Sequence, residues 1–278
     1  MNSPSSQSDE LPPLRDVIAK HGLRVRKSLG QHFLLDLNLT ARIARAAGDL
    51  TKGTVIEVGP GPGGLTRALL DAGAHIIAIE RDHRCLEALQ EIANAYPGRL
   101  EVMEGDALEM ELSVLGTPPR RIVSNLPYNI ATPLLLGWLR HIDQFEILTL
   151  MFQKEVADRL CAKPRSKDYG RLSIITQWLC DVQAQFNVDK RAFTPPPKVE
   201  SSVVNLIPRE KPVLDVPFKA LEDVTAAAFG QRRKMLRSSL KSLNLDLKAL
   251  NIDPTARAEE LTVEQFCRIA QAHTNKHT

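Results

Sequence analysis

The sequence predicts an α/β fold: a Rossmann-like parallel sheet covered on both faces by helices, joined to a small all-helical C-terminal domain. Three observations carry this. From Thr54 onward, short apolar runs alternate with helical periodicity, the pattern of strand–helix–strand units. The first apolar run ends in a glycine-rich turn, Gly59 to Gly64, at a carboxyl strand end where open sheets hold ligands. Beyond about Pro217 the pattern is helical only.

The elements follow in order. "TVIEVG" (54–59) reads as a buried strand and "LTRALLDAG" (65–73) as a helix closed by Gly73. "HIIAIE" (75–80) is a second strand, "RCLEALQEIANAY" (84–96) a helix stopped by Pro97-Gly98, and "LEVMEGDA" (100–107) a third strand. "RRIVSN" (120–125) is a fourth, followed by the helix "TPLLLGWLR" (132–140) with Pro133 in its first turn. "ILTLMFQ" (147–153) is a fifth and leads into the helix "KEVADRLCA". A basic loop, "KPRSKDYGRL", precedes the helix "LSIITQWLC", strand-like "DVQAQFNV", a rigid "FTPPPKVESS" (193–202) and "VVNLIP". Composition shifts near Pro208. The expected organisation is a disordered tail (1–12), a sheet domain (13–208) and a helical domain (209–278) built from "FKALEDVTAAAFG", "QRRKMLRSSLKSL" and "TVEQFCRIAQAH".

The 278 residues suffice for one large and one small domain. A hydrophobic content of 43% with 25% charged residues is ordinary for a soluble globular protein. The formal net charge of +3 is mildly basic, so the placement of charge matters more than its sum. Cys85, Cys161, Cys180 and Cys267 lie far apart with no C-x-x-C pair, which argues against zinc and redox motifs and for reduced cysteines in the cytoplasm. No apolar run approaches membrane-spanning length, and the N-terminal stretch has neither an apolar signal core nor the early arginines of a transit peptide.

"EVGPGPGG" (57–64) fits two patterns. Gly59, Gly61 and Gly64 satisfy the G-x-G-x-x-G of dinucleotide sites. Glu57, Gly59, Gly61 and Gly63 satisfy the E-x-G-x-G-x-G of S-adenosylmethionine (SAM) sites. Glu80, at the end of the second strand, is placed to accept from ribose hydroxyls, which both cofactors carry. Asp106, near the end of the third, is placed to accept from the adenine amino group of SAM. Three such features at three successive strand ends point to a nucleoside cofactor.

The fourth strand ends in "SNLPYNI" (124–130). Asn and Pro alone would make an ordinary strand-end turn. Beside a cofactor they can do more. An adenine amino group is a poor nucleophile because its lone pair is delocalised into the ring. Two acceptors on its N–H bonds favour a more tetrahedral nitrogen. Asn125 offers a side-chain carbonyl, Leu126 a backbone carbonyl carried on a chain fixed by Pro127, and Tyr128 a face for stacking. Catalysis then rests on position and on hydrogen bonds that strengthen as charge develops. The base must be unpaired or flipped out. Phe193, before "TPPP", is a candidate second stacking surface.

The motif resembles the N/D-P-P-Y signature of amino methyltransferases. Together with "EVGPGPGGLT", "KSLGQHFL", "FQKEVADRL", "YGRLS" and "FTPPPKVESSVV", it resembles the ribosomal RNA adenine N6,N6-dimethyltransferase family from about Leu23 to the C-terminal helices, closest to its bacterial small-subunit branch. That resemblance implies transfer of four methyl groups from SAM to two adjacent adenosines near the 3′ end of 16S rRNA. It implies cofactor contacts from Gln31, His32, Leu34, Gly59, Gly61, Glu80, Asp106 and Asn125. The family often carries Asn where this chain has His32.

"QRRKMLRSSLK" (231–241) has five basic residues and no acid, and as a helix would set Arg233, Arg237 and Lys241 on one face. Arg232, Arg233, Lys234 and Arg237 are therefore expected to meet RNA phosphates, with "RVRKS" (24–28) and "KPRSK" (163–167) as further basic patches. The expected partner is 16S rRNA in the small subunit or its precursor, met by a cytoplasmic monomer without metal or membrane. Competing readings are a 23S rRNA methylase, a DNA adenine methylase, a protein glutamine methylase and a non-catalytic ribosome-assembly factor.

Overall fold

The computed structural model describes residues 11–23 and 31–275. Most of the expected tail and the basic run at 24–28 lie outside these residues. Leu11 and Pro12, counted with the tail from sequence, are engaged: Leu11 packs against the core, and the Pro12 carbonyl accepts from Arg67 at 2.8 Å.

In chain order the main elements are α1 (Leu14–Lys20), β1 (Phe33–Leu34), α2 (Leu37–Ala46), β2 (Thr54–Val58), α3 (Gly64–Asp71), β3 (Ile76–Glu80), α4 (His83–Ala95), β4 (Leu100–Glu104), β5 (Arg120–Asn125), α5 (Ala131–Trp138), β6 (Ile147–Gln153) and α6 (Lys154–Cys161). Then come α7 (Arg171–Leu179), β7 (Cys180–Val188), β8 (Phe193–Thr194), β9 (Ser201–Pro208), α8 (Phe218–Gly230), α9 (Leu236–Ser239) and α10 (Val263–Asn275). β2 and β3 are buried at every position, as strands covered on both faces must be. Aspartates cap two of the helices: Asp36 accepts from the amides of Asn38 and Leu39 at the start of α2, and Asp82 from that of Arg84 at the start of α4.

Seven strands form one sheet in the order β4-β3-β2-β5-β6-β9-β7. β2 to β6 pair in parallel, and β9 runs antiparallel to β6, from Leu148 opposite Leu206 to Gln153 opposite Ser201. The sheet is therefore mixed rather than parallel throughout. From β2 the chain winds outward to β3 and β4, then returns to β5 on the other side of β2. The carboxyl ends of β2 and β5 thus flank the crevice at the switch in strand order. Ser124 ties these two ends together by donating to the Val58 carbonyl at 2.6 Å. A separate two-stranded ribbon pairs β1 with β8, Phe33 opposite Thr194 and Leu34 opposite Phe193. No pattern in the sequence announces it.

The chain divides into two compact units. The first runs to Lys154 and resumes for Ala184–Leu206; the second comprises Glu155–Gln183 and the described residues from Ile207 onward. The compositional break near Pro208 lies close to the second crossing. No compositional signal marks the earlier excursion, which places α7 in the second unit. The reason for it is packing: Tyr169, Ile174 and Trp178 share a core with Leu221, Val224 and Phe266, and the Trp178 indole donates to the Leu214 carbonyl at 2.8 Å.

The basic run 231–241 is not one helix. α8 ends at Gly230, Lys234 closes a turn onto the Gln231 carbonyl at 2.8 Å, and the amides of Leu236 and Arg237 donate to the carbonyls of Ala256 and Pro254. Only Leu236–Ser239 is helical. Helical spacing therefore does not align Arg233, Arg237 and Lys241 on one face.

Candidate active site

The first unit holds a cleft of about 1050 Å³, open solvent included, at the carboxyl ends of β2, β3, β4 and β5. It is lined by Gln31, His32, Leu34, Gly59, Gly61, Glu80, Asp106 and the whole of Asn125 to Tyr128. Residues from five separate stretches of sequence meet there.

The turn after β2 forms the floor. Gly61 has φ +56°, a conformation that favours glycine, and its N–H donates to Glu80 Oε2 at 2.9 Å. Glu80 Oε1 accepts from the Asp82 amide at 2.7 Å. Both oxygens are thereby fixed in place, and each keeps a second lone pair for a hydroxyl. Burial raises the Glu80 carboxyl, and the two amides oppose that rise. Gly64 is required by space: a Cβ would stand 2.4 Å from the Leu34 carbonyl oxygen. Close approach of β1 to the start of α3 thus closes one side of the cleft.

Asp106 Oδ1 accepts from the Leu108 amide at 3.0 Å and Oδ2 from Arg81 Nη1 at 2.7 Å. Gln31 donates to Asp82 Oδ2 at 2.9 Å. Burial pushes Asp82 up, but hydrogen bonds from Arg84 and Gln31 outweigh it and hold its carboxyl at about 2. Glu57 is buried at the end of β2, where burial raises its carboxyl to about 8. Its Oε2 has no partner among the described residues.

The Asn125 amide is oriented by its own donor: Nδ2 donates to the His32 carbonyl at 3.2 Å. Among the described residues nothing donates to Oδ1, so the acceptor half of the amide stays available. Leu126 is buried. The Tyr128 hydroxyl and Ser201 Oγ lie 2.5 Å apart, and burial raises the phenol further above its ordinary range. His32 lies against this ring, centroids 5.6 Å apart and planes tilted by 31°.

Two expectations are corrected. Phe193 is only 2% exposed; pairing opposite Leu34 turns its ring into the core, and it meets His32 edge-on at 6.4 Å rather than offering an open face. Arg232 is exposed but committed. Its Nε pairs with Glu259 at 2.8 Å and its Nη2 donates to the Lys167 carbonyl at 2.7 Å. Arg233, Lys234 and Arg237 are exposed in the same unit. Sequence reading missed Arg81, Asp82 and Ser201 as parts of the site. Asp82 carried a signal, an aspartate just ahead of a helical run; Ser201 carried none.

A glycine turn, acids at successive strand ends and an oriented Asn-Leu-Pro-Tyr define a methyltransferase-type α/β fold. The profile of the ribosomal RNA adenine dimethylase family matches residues 22–275, and the chain belongs to that family. Among curated relatives, a ribosomal RNA small subunit methyltransferase A from Paramagnetospirillum magneticum is 68% identical over 267 residues, 95% of either chain. One of the same name from Rhodospirillum rubrum is 64% identical over 269 residues, 95% of this chain and 93% of the relative. Among solved structures, a dimethyladenosine transferase from Plasmodium falciparum superposes with a TM-score of 0.76 at 27% identity, over 88% of this chain and 98% of that one. The 23S rRNA methyltransferase ErmE gives 0.66 at 29%, over 87% and 99%.

The described residues contain no cluster of metal ligands and no helix long and apolar enough to cross a membrane.

Proposed function

We propose that this chain dimethylates the N6 amino groups of two adjacent adenosines in the hairpin loop near the 3′ end of 16S rRNA, with SAM as donor, in the small subunit or its precursor. The observation that carries the reading is the Asn125 amide, anchored through Nδ2 with Oδ1 left to accept.

The cleft fits SAM. Its glycine turn leaves backbone where side chains would intrude, and Glu80 and Asp106 stand at the two strand ends where a ribose and an adenine need acceptors. Gly59, Gly61, Glu80, Asp106 and the Gln31–Leu34 stretch would hold the cofactor, which supplies an electrophilic methyl group when bound.

On the acceptor side, Asn125 Oδ1 and the Leu126 carbonyl would take the two N–H bonds of the target amino group. These bonds strengthen as the nitrogen becomes positive, so they favour the transition state over the ground state. Tyr128, held through Ser201, supplies the stacking face. No residue need remove the proton, because the methylated ammonium can lose it to water. The exposed cations Arg233, Lys234 and Arg237 would contact phosphate without reading sequence.

The names of the relatives at 68% and 64% identity favour the small subunit over the 23S rRNA of the ErmE structure at 29%. The test is methyl transfer from labelled SAM to small subunits lacking the modification, with large subunits and DNA in parallel and modified adenosines mapped by mass spectrometry. Two neighbouring dimethyladenosines near the 16S 3′ end support the proposal. Label on 23S rRNA or DNA overturns the substrate. Binding to small subunits without transfer favours an assembly role.

A further inference from the structure

A stacking face needs only a ring, so phenylalanine would serve where Tyr128 stands. The hydroxyl calls for a separate reason. It lies 2.5 Å from Ser201 Oγ. Ser201 is fully buried at the start of β9 and pairs opposite Gln153 at the end of β6, so the sheet fixes its backbone. Successive side chains of a strand face opposite ways. The next serine follows that rule: Ser202 Oγ donates to the Phe186 carbonyl of β7 at 3.3 Å. A buried hydroxyl costs stability unless it is bonded. Among the described residues, the Tyr128 hydroxyl is the one partner of Ser201 Oγ. The far end of the Tyr128 ring is thus anchored to a strand 73 positions away. The His32 ring beside it is tied elsewhere, its Nδ1 lying 2.9 Å from the Pro195 carbonyl oxygen just past β8.

We propose that Ser201 is a positioning residue for Tyr128, and that its hold matters most for the second methylation of each adenosine. The inference rests on the reading of Asn125 and Leu126 as acceptors and of Tyr128 as the stacking face. In each transfer the N6 lone pair forms the new N–C bond, the electron pair of the broken C–S bond leaves with sulfur, and the ammonium gives one proton to water. An unmodified amino group enters with two N–H bonds, one for Asn125 Oδ1 and one for the Leu126 carbonyl. After the first transfer a single N–H remains. One acceptor then has no proton to bind, and fewer directional contacts hold the base. Stacking on Tyr128 carries a larger share of its orientation. A ring whose far end could swing would still stack, but it would misplace the nitrogen relative to the methyl donor. The bond to Ser201 removes that swing.

The test uses the full-length protein in excess over small subunits lacking the modification, with labelled SAM. Monomethyl- and dimethyladenosine are counted over time by mass spectrometry, and SAM affinity is measured by calorimetry. Ser201→Ala and Tyr128→Phe break the same hydrogen bond from opposite ends. The inference expects Ser201→Ala to bind SAM within about twofold of wild type, to slow the first transfer by about threefold or less and to slow the second by about tenfold or more, so that monomethyladenosine accumulates. Tyr128→Phe should do the same. The double variant should be no worse than the more impaired single one, as two residues serving one contact require. A loss of packing alone would slow both transfers alike. Equal slowing of the two transfers, additive losses in the double variant, or an unchanged product ratio in both single variants overturns the inference. So does weakened SAM binding as the main effect. If Ser201→Ala does not fold, Tyr128→Phe, a change at a half-buried residue, decides the matter by the same product ratio. A wild-type protein that makes no methylated adenosine overturns the underlying acceptor reading instead, and shows it before any substitution is made.

Discussion

Asn125 shows how much one amide can be asked to do. Half of it is spent on the His32 carbonyl, and the other half is the acceptor that the proposed chemistry needs. Asn125→Ala should lower single-turnover methyl transfer about 10²–10³-fold, the cost of removing one preorganised transition-state contact. Asn125→Asp should fare little better although it keeps an acceptor, because an oxygen then faces the His32 carbonyl and the side chain turns away. Near-normal transfer by either variant would remove Asn125 from the mechanism. Glu57 gives a prediction in pH. Its carboxyl has an ordinary value of 4.5 and is raised to about 8 by burial. Between those values the folded state holds a proton that the unfolded state has lost, so stability falls as pH rises, by up to about 1.4 kcal/mol per unit. Glu57→Gln carries no such proton. Urea denaturation of the variant across roughly pH 5 to 8 should show a flatter dependence than wild type; an equal slope would refute the assignment.

At the scale of elements, the glycine turn and the β1–β8 ribbon depend on one another. Gly64→Ala places a Cβ 2.4 Å from backbone in β1, so β1 must shift. The expected cost is about 1–3 kcal/mol in denaturant, together with weaker SAM binding by calorimetry. Gly137→Ala, in α5 with open space around the new Cβ, should instead be neutral or stabilising by up to about 1 kcal/mol. Elements with a long apolar period could be read from sequence: β2 to β6 and α3 to α5 lie within a few residues of their expected bounds, because local pattern alone sets them. Gly59, Gly61, Glu80, Asp106 and Asn125 followed, since strand ends converge once the sheet is parallel. The ribbon could not be read. Two residues show no period, and its tether from His32 to Pro195 spans 163 positions. Arg233, Arg237 and Lys241 were misaligned because i, i+4 spacing has meaning only inside a helix, and Gly230 had already ended it.

At the scale of the whole molecule, each unit carries a tryptophan, Trp138 in the first and Trp178 in the second. Single-tryptophan variants can therefore report each core. SAM at about 100 times its Kd should stabilise the transition seen by Trp138 by about 2.7 kcal/mol, and that seen by Trp178 by less. Equal shifts would mean the two units unfold together. RNA binding supplies a separate readout. Replacing Arg233, Lys234 and Arg237 by Ala should flatten the dependence of log affinity on log salt by about 0.7–0.9 for each phosphate that is no longer neutralised. Arg232→Ala should act mainly by freeing Glu259 and the Lys167 carbonyl, and so appear as lost stability.

The tether between His32 and Pro195 also sets a timetable. A polypeptide still being synthesised displays the glycine turn, Glu80, Asp106 and Asn125 early, but it has nothing against which to fix His32 until the proline segment has left the exit tunnel. β9, which pairs with β6, comes later still. A chain ending before β8 would thus carry the glycine turn and the acids of the cleft but lack the β1–β8 ribbon.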